Sequence, residues 1–272
     1  MLRDVEARVI RNTRLSRDYN VIALAAPEIA EATQPGQFVM VKSGRGGDPL
    51  LRRPFSVFEV LRSNNRVEGL TLLSKRVGVT TKILYDAVEG DTISCLGPLG
   101  RPFDLVDPPT EAWMVAGGVG LAPFATLGDA LLAHGVKTTL FYGARTGGEL
   151  FYLDWFTSRG IRLVLATEDG SIGDKARITI PLDRELQEAD GEVVIYACGP
   201  EPMLEAVAHV AAKHKRTSQV SVERTMGCGM GGCYSCVIQV RSEAGSERTR
   251  PAHYVRSCIA GPVFKGEDLV WD

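Results

Sequence analysis

Long apolar segments are absent from this sequence of 272 residues. No stretch approaches the roughly 18 consecutive apolar residues of a membrane-spanning helix. The first six residues alternate charged and apolar side chains where a secretory signal would have an apolar core. A strong net charge is also missing, since the formal charge is −2, which argues against a polyanion such as a nucleic acid as a partner. These absences predict a cytoplasmic protein without a membrane span and without a nucleic-acid partner.

Histidine is scarce, and its four positions show no spacing typical of metal ligands. Cysteine is distributed unevenly, because three of the six cysteines fall within nine residues. A disulfide framework is typical of small secreted proteins, and this sequence lacks a secretion signal. The crowding therefore predicts a metal or cluster site instead of disulfide bonds.

The crowded cysteines have the spacing C-x4-C-x2-C, and a fourth cysteine follows after 21 residues. This spacing is typical of plant-type [2Fe–2S] sites, and it makes Cys228, Cys233, Cys236 and Cys258 the expected iron ligands. Glycines surround the first two of them, so amide N–H groups can approach the sulfurs closely and stabilise the reduced cluster. A zinc knuckle and four unliganded thiols remain the alternatives, although zinc sites more often use two CxxC-like pairs.

The chain divides into three parts by its pattern of apolar residues. Up to about residue 105, short apolar and β-branched runs between turn residues predict a small antiparallel β-barrel with one helix at residues 80–87. Strands then alternate with helical patterns, which predicts α/β structure with a doubly wound parallel sheet. One of the predicted helices covers residues 150–156. From Thr217 onward, the cysteines and a polar, exposed loop at residues 241–250 predict a small third unit. The expected domains are residues 1–106, 107–216 and 217–272.

A strand entry in the barrel carries the string Arg52-Arg53-Pro54-Phe55-Ser56. It resembles the R-x-[YF]-[ST] signature of the ferredoxin reductase superfamily. The resemblance implies that the Arg53 guanidinium binds the flavin pyrophosphate, that Phe55 lies against the isoalloxazine and that Ser56 bonds a flavin edge atom. Alone the motif is weak, but its position in a barrel before a nucleotide-binding sheet strengthens it.

A second segment of the barrel resembles the other flavin-binding element of the same superfamily. It has a basic strand residue followed by a G-x-G-T turn at a helix start, where free N–H groups would hold phosphate. The residues implied in flavin binding are Leu73, Ser74, Lys75, Thr80 and Thr81. Thr80 stands where a glycine is usual, and threonine adopts positive φ only at a cost.

The α/β part contains two strings that resemble nicotinamide-binding elements of the superfamily. The first is G-G-x-G-[LIV]-[AT]-P, whose glycines Gly117, Gly118 and Gly120 would let a pyrophosphate approach the backbone at a helix start. The second is C-G-P-x-x-M, which begins with Cys198, Gly199 and Pro200. The resemblance places the Cys198 thiol near the reacting carbon of the nicotinamide, beside the flavin. A structural turn and a buried core cysteine are the alternatives.

Two acidic residues, Glu168 and Asp169, end another strand of this sheet. NADP-using relatives tend to carry Ser-Arg at this place. A carboxylate accepts hydrogen bonds from ribose hydroxyls and repels a 2′-phosphate, so we expect NAD in preference to NADP. The nearby Arg145 is the feature that opposes this expectation.

In this order, the motifs make the whole chain resemble the electron-transfer subunits of type B dihydroorotate dehydrogenases. The most specific matches are residues 50–54, 96–100, 223–233 and 258–264. The resemblance implies FAD, NAD and a [2Fe–2S] cluster in one chain. It also implies an FMN-containing catalytic subunit that oxidises dihydroorotate, in a heterotetramer with two subunits of each kind, for pyrimidine biosynthesis. Electrons would pass singly through the cluster to FAD, which passes a hydride to NAD+.

Other assignments share these motifs. The subunit could serve an NADH-dependent ferredoxin:NADP oxidoreductase or a sulfide dehydrogenase, although four cysteine ligands argue mildly for the pyrimidine role. A non-enzymatic zinc-binding module is the alternative from another class. The spacing between Cys236 and Cys258 is long for the family.

Overall fold

The computed structural model describes residues 2–43, 49–241 and 251–271. A polar loop was expected at residues 241–250. Of these residues, 242–250 lie outside the described ranges. Within the described ranges, none of the helices has the length and apolar character needed to cross a membrane.

The amino-terminal part is one curled antiparallel sheet of seven strands. Its strands are β1 (Arg3–Arg14), β2 (Tyr19–Ala25), β3 (Phe38–Ser43), β4 (Arg53–Ser56), β5 (Glu59–Ser63), β6 (Arg66–Lys75) and β7 (Thr92–Leu99). The order across the sheet is β4-β3-β7-β1-β2-β6-β5, and β4 also contacts β6, so the two ends approach each other. In β1, Ala7 and Val9 are buried whereas Glu6 and Arg8 are exposed, as the period of a half-buried strand requires.

Two helices cover this sheet. A single turn, α1 (Pro27–Ala30), follows β2, and α2 (Val79–Asp86) follows β6. The predicted helix at residues 80–87 is thus confirmed as α2. Asn12 fixes the end of α2, because its side-chain amide donates hydrogen bonds to the carbonyls of Leu84, Tyr85 and Ala87 at 2.8–3.1 Å.

The middle part is a parallel sheet with helices on both faces. Its elements are β8 (Glu111–Gly117), α3 (Ala122–Ala133), β9 (Thr138–Ala144), α4 (Leu153–Thr157), β10 (Arg162–Thr167), β11 (Asp174–Lys175), α5 (Thr179–Glu188), β12 (Val193–Cys198), α6 (Glu201–Lys213) and β13 (Thr217–Ser221). In β8, Met114 and Ala116 face one hydrophobic core whereas Trp113 and Val115 face the other. Burial of both faces explains the continuous apolar run of this strand.

The carboxyl-terminal part begins with the cysteine loop and returns to the parallel sheet. After the loop come β14 (Val237–Arg241), β15 (Ala252–Arg256), α7 (Ser257–Ala260) and β16 (Val263–Lys265). The parallel sheet has the order β11-β10-β9-β8-β12-β13-β16, with β16 antiparallel to β13. The expected boundary between residues 216 and 217 therefore falls before β13, the last parallel strand of this sheet.

Two helices differ from the sequence-based expectation. The helix expected at residues 150–156 is found as the shorter α4, because Tyr152 adopts a left-handed backbone with φ of 62° just before it. Helix α5 was not anticipated, since only three of its ten residues, Pro181, Leu182 and Leu186, are buried and its apolar stripe is correspondingly narrow.

Candidate functional site

The cysteine loop is organised by backbone N–H groups that point at sulfur. The Cys228 sulfur accepts hydrogen bonds from the amides of Met230 at 3.4 Å and Gly232 at 3.2 Å. The Ser235 hydroxyl lies 3.1 Å from the Cys233 sulfur and accepts a hydrogen bond from the Gly227 amide at 3.0 Å. This is the amide-rich surrounding that the glycine pattern predicts.

The four thiols interact as two pairs. Hydrogen bonds from Ser235, and further ones involving Cys228, lower the pKa of Cys233 to about 6. Burial, together with a hydrogen bond to the Cys236 thiol, raises the pKa of Cys258 to about 12, and Cys258 also senses Cys228. In the described part of the chain, no three His, Cys, Asp or Glu side chains are gathered as around one metal ion. The four cysteines that the sequence predicts as cluster ligands are thus neighbours of one another in the structure.

The cysteine loop packs against the barrel. Cys236, Cys258 and Met226 share a small core with residues of β3 and β7. Gly229 has a φ of 72°, and a Cβ there would lie 2.5 Å from the Cγ of Met40 on β3, so a side chain at this position has no space. Met40 is in turn the register partner of Pro54 on β4. The cysteine loop is therefore one strand away from the arginine-containing motif.

Strand β4 displays that motif at the end of the curled sheet. The Arg52 guanidinium already has partners within the chain, since it forms an ion pair with Asp4 at 2.7 Å and donates to the Ser94 hydroxyl at 2.9 Å. Arg53 is exposed and donates only to the backbone carbonyls of Leu51 and Arg52, and it has no carboxylate partner among the described residues. Its guanidinium is thus available to an anion. The remaining motif residues, Pro54, Phe55 and Ser56, are half-buried.

The start of α2 presents a second candidate anion site. The Thr81 hydroxyl accepts hydrogen bonds from the amides of Val77 and Gly78, both at 2.9 Å. Thr80 lies in the first helical turn and is absent from the residues with positive φ. The substitution of threonine for the usual glycine therefore causes no backbone strain here.

Strand β6 leads into this helix and carries the other three predicted residues. Leu73 is buried in the core, and the Ser74 hydroxyl is buried without a hydrogen-bond partner among the described residues. A buried polar group normally has a partner, so a bound ligand would account for this one. Lys75 instead extends to the α/β part, where it pairs with Glu149 at 3.0 Å.

Glu149 joins the barrel to the parallel sheet, although no local sequence signal marks it. Its carboxylate accepts hydrogen bonds from the Tyr19 hydroxyl at 3.1 Å and from Lys75, and Arg145 lies 3.5 Å away. Burial opposes ionisation of Glu149, but the hydrogen bonds from Lys75 and Tyr19 bring its pKa below the ordinary value. Arg145 therefore pairs with Glu149 at this junction and forms no ion pair with Glu168 or Asp169.

The glycine turn after β8 lies against the end of β12. A Cβ at Gly120 would fall 2.5 Å from the carbonyl carbon of Cys198 and nearer still to its oxygen, so only glycine fits there. A Cβ at Gly117 would lie 2.7 Å from the sulfur of Met203, whereas one at Gly118 would meet open space. The turn thus keeps an open backbone surface at the start of α3, which is where a phosphate would bind.

Cys198 ends β12 beside that turn. Burial raises the pKa of its thiol to about 12, although a hydrogen bond with Ser221 opposes the change. The thiol is therefore neutral near pH 7. Gly199 also has no room for a side chain, since a Cβ would lie 2.6 Å from the Cε of Met203, and Pro200 immediately precedes α6. The structure thus brings together the two predicted nicotinamide elements.

The two acidic residues follow β10 at the same edge of the sheet. Both are exposed. The Asp169 carboxylate accepts hydrogen bonds from the hydroxyl of Ser171 at 2.6 Å and from its amide at 3.0 Å, which lower the pKa of Asp169. Glu168 has no ion-pair partner among the described residues, so its carboxylate is free to meet a ligand.

Comparisons with known proteins agree with this architecture. Residues 223–270 match the family described as the iron–sulfur cluster binding domain of dihydroorotate dehydrogenase B, and residues 114–209 match the oxidoreductase NAD-binding domain. A solved structure of an NADH-dependent reduced ferredoxin-NADP oxidoreductase, determined in relation to flavin-based electron bifurcation, is 27% identical with a TM-score of 0.84; the match covers 98% of this chain and 91% of that one. A ferredoxin NADP+ reductase from Neisseria gonorrhoeae shares the fold at 18% identity and a TM-score of 0.63, with coverage of 78% and 91%.

Curated relatives match over nearly the full length. The electron transfer subunit of dihydroorotate dehydrogenase B (NAD(+)) from Desulforamulus reducens is 34% identical over 267 residues, covering 98% of each chain. The protein of the same name from Geobacillus kaustophilus is 38% identical over 251 residues, covering 92% of this chain and 91% of that protein. The chain belongs to the family of dihydroorotate dehydrogenase B (NAD+) electron-transfer subunits.

Proposed function

We propose that the sites described above hold three cofactors in series, with the cysteine loop and the β4 motif one strand apart. FAD would bind at β4 and at the start of α2, and NAD at the turn after β8. The residues assigned to FAD are Arg53, Pro54, Phe55, Ser56, Leu73, Ser74, Lys75, Thr80 and Thr81. Those assigned to NAD are Gly117, Gly118, Gly120, Glu168, Asp169, Cys198, Gly199 and Pro200. The [2Fe–2S] ligands are Cys228, Cys233, Cys236 and Cys258.

The chain is an oxidoreductase subunit that carries electrons from dihydroorotate oxidation to NAD+ in pyrimidine biosynthesis. FAD supplies the exchange between the two-electron chemistry of nicotinamide and the one-electron chemistry of the cluster. The observation that carries the proposal is the close approach of Gly229 to Met40, whose register partner on the neighbouring strand is Pro54 of β4, because the proposed route needs the cluster near the flavin.

The residues of the chain have binding and positioning roles in this proposal. Arg53 and the first amides of α2 bind phosphate charge. The glycine turn lets the second nucleotide approach the backbone. Cys198 is small, and burial raises the pKa of its thiol further above neutral pH, so it leaves space for two flat rings to meet without placing a charge between them. No general base for dihydroorotate is required of this chain.

The partner belongs to the same proposal. We expect an FMN-containing subunit that oxidises dihydroorotate, in an assembly of two subunits of each kind. Exposed apolar side chains of Met230, Tyr234 and Ile259 lie on or beside the cysteine loop. Arg256 stacks on the Tyr234 ring and donates to the Gly231 carbonyl at 2.5 Å. Such a surface suits a partner that must approach the cluster closely. A cytoplasmic location follows from a cluster that depends on reduced thiols.

Co-purification tests the function directly. The chain produced with such a catalytic subunit should carry FAD, iron and acid-labile sulfide, and should reduce NAD+ when dihydroorotate is added. Sedimentation of the complex would give the stoichiometry. A colourless chain loaded with zinc would rule out the function.

A second candidate rests on the solved structure with a TM-score of 0.84. In that case the chain would be the flavin and iron–sulfur subunit of an NADH-dependent ferredoxin-NADP oxidoreductase. The curated relatives at 34% and 38% identity favour the pyrimidine role. Electron exchange with ferredoxin, in place of a dihydroorotate-oxidising subunit, would support the second candidate.

The choice between NAD and NADP gives a separate prediction. Replacing Glu168 by glutamine removes a negative charge where the 2′-phosphate of NADPH would lie. We expect the kcat/KM for NADPH relative to NADH in flavin reduction to rise about tenfold, which corresponds to about 1.4 kcal/mol. Glu188→Gln, on α5, is the matched control and should leave the ratio unchanged. A Glu168→Gln variant with an unaltered ratio would show that Glu168 does not select the nucleotide.

A further inference from the structure

The Ser257 hydroxyl is buried and has no hydrogen-bond partner among the described residues. Ser257 is the first residue of α7, its relative exposure is 0%, and its Oγ makes no hydrogen bond within the described part of the chain. A buried hydroxyl without a hydrogen bond is unfavourable, and such groups in native proteins usually have a ligand, ion or water as partner.

The position of Ser257 relates it to two of the cysteines. Its amide donates a hydrogen bond to the Cys236 carbonyl at 2.9 Å, and Cys258 is the next residue in the chain. The thiols of Cys236 and Cys258 are close enough to interact with each other. Ser257 is therefore linked to both cysteines of this pair, to Cys258 through the peptide bond and to Cys236 through a backbone hydrogen bond.

The donors to the other sulfurs indicate what this pair lacks. Cys228 receives two amide hydrogen bonds, Cys233 has the Ser235 hydroxyl, and Cys258 has the Gly231 amide. Among the described residues, Cys236 has only the Cys258 thiol, which loses its proton when it ligates iron. A neutral donor is then missing on this side, and Ser257 is the adjacent buried donor without a partner.

We propose that the Ser257 hydroxyl donates a hydrogen bond to a sulfur of the cluster on the side held by Cys236 and Cys258. The proposal rests on the four-cysteine cluster proposed above. A hydrogen bond to sulfur stabilises the reduced cluster, which carries one more negative charge, and so raises its reduction potential. Ser257 would thus help the cluster to accept an electron.

The test is a potentiometric titration of the cluster by electron paramagnetic resonance in the purified, cofactor-loaded protein. We expect Ser257→Ala to retain iron and sulfide but to lower the ratio of reduced to oxidised cluster at a fixed potential by about tenfold, equivalent to about 59 mV for one electron. Ser257→Thr keeps the hydroxyl and should titrate like the unmodified protein. Ser218→Ala, a buried serine on β13, is the control that should cause no shift.

Two outcomes would overturn the inference. One is an unchanged potential in a fully loaded Ser257→Ala protein. If that variant does not assemble a cluster, Ser257→Thr and Ser257→Val, whose side chains have nearly the same size, are compared instead. Equal reduction potentials in these two variants would also overturn the inference. Neither result affects the proposed function, which is tested on the unmodified protein by its iron and sulfide content and by NAD+ reduction with dihydroorotate.

Discussion

Replacing Cys233 by alanine is expected to remove the cluster while NADH still reduces the bound FAD. Cys233 interacts with Cys228, so its loss leaves one of the two irons with a single thiolate. The groups assigned to FAD and NAD lie on other elements, namely β4, β6, α2, the turn after β8 and the ends of β10 and β12. Electron transfer from the partner to NAD+ should therefore fall to background, and anaerobic mixing with NADH should still bleach the flavin. Iron and sulfide analysis, together with the two rates, measures the effect.

The matched control for this prediction is Cys95→Ala. Cys95 lies in the barrel core, and burial raises the pKa of its thiol to about 12, so it is a neutral packing residue. We expect this variant to keep its iron and its electron transfer and to lose some thermal stability. If a folded, FAD-loaded Cys233→Ala protein also failed to react with NADH, the assigned separation of the two sites would be wrong.

Replacing Gly120 by alanine is expected to slow the reduction of FAD by NADH while the cluster is retained. This is the reverse of the pattern expected for Cys233→Ala. The added Cβ would fall 2.5 Å from the carbonyl carbon of Cys198, and a contact under 3 Å with backbone cannot be relieved by rotating a side chain. The turn after β8 and the end of β12 must therefore move apart, which displaces the bound nucleotide from the flavin. A misplacement of about 1 Å can cost a hundredfold in rate, so we expect kcat/KM for flavin reduction by NADH to fall about 100-fold.

Gly191→Ala serves as the control for Gly120→Ala. A Cβ at Gly191 would meet open space. Gly191 lies just before β12, at the opposite end of that strand from Cys198. This variant should reduce its flavin at the normal rate, and both variants should retain the cluster. Normal reduction by NADH in a Gly120→Ala protein would contradict the assignment of the turn to the nicotinamide nucleotide.

Local sequence signals identified most of the elements and most of the site. The alternation in β1 and the apolar run of β8 each report the burial of their own residues, so their strands were predictable. The cysteine spacing and the glycine turns were also visible, because these chemistries need particular residue types at fixed separations. Helix α5 was missed because its buried stripe is narrow. The pairing of β13 with β12 in the parallel sheet was not predicted either, because strand pairing depends on distant residues.

The sequence by itself determined which chemical groups the protein has: four thiols with the spacing of a cluster, two glycine turns and an arginine at a strand entry. Only the tertiary structure decided which of these meet. It placed Gly229 against Met40, joined Lys75 and Tyr19 to Glu149, and left the Ser257 hydroxyl buried without a hydrogen-bond partner among the described residues. These contacts join residues far apart in the chain, and their geometry follows from how the two sheets and the cysteine loop pack together.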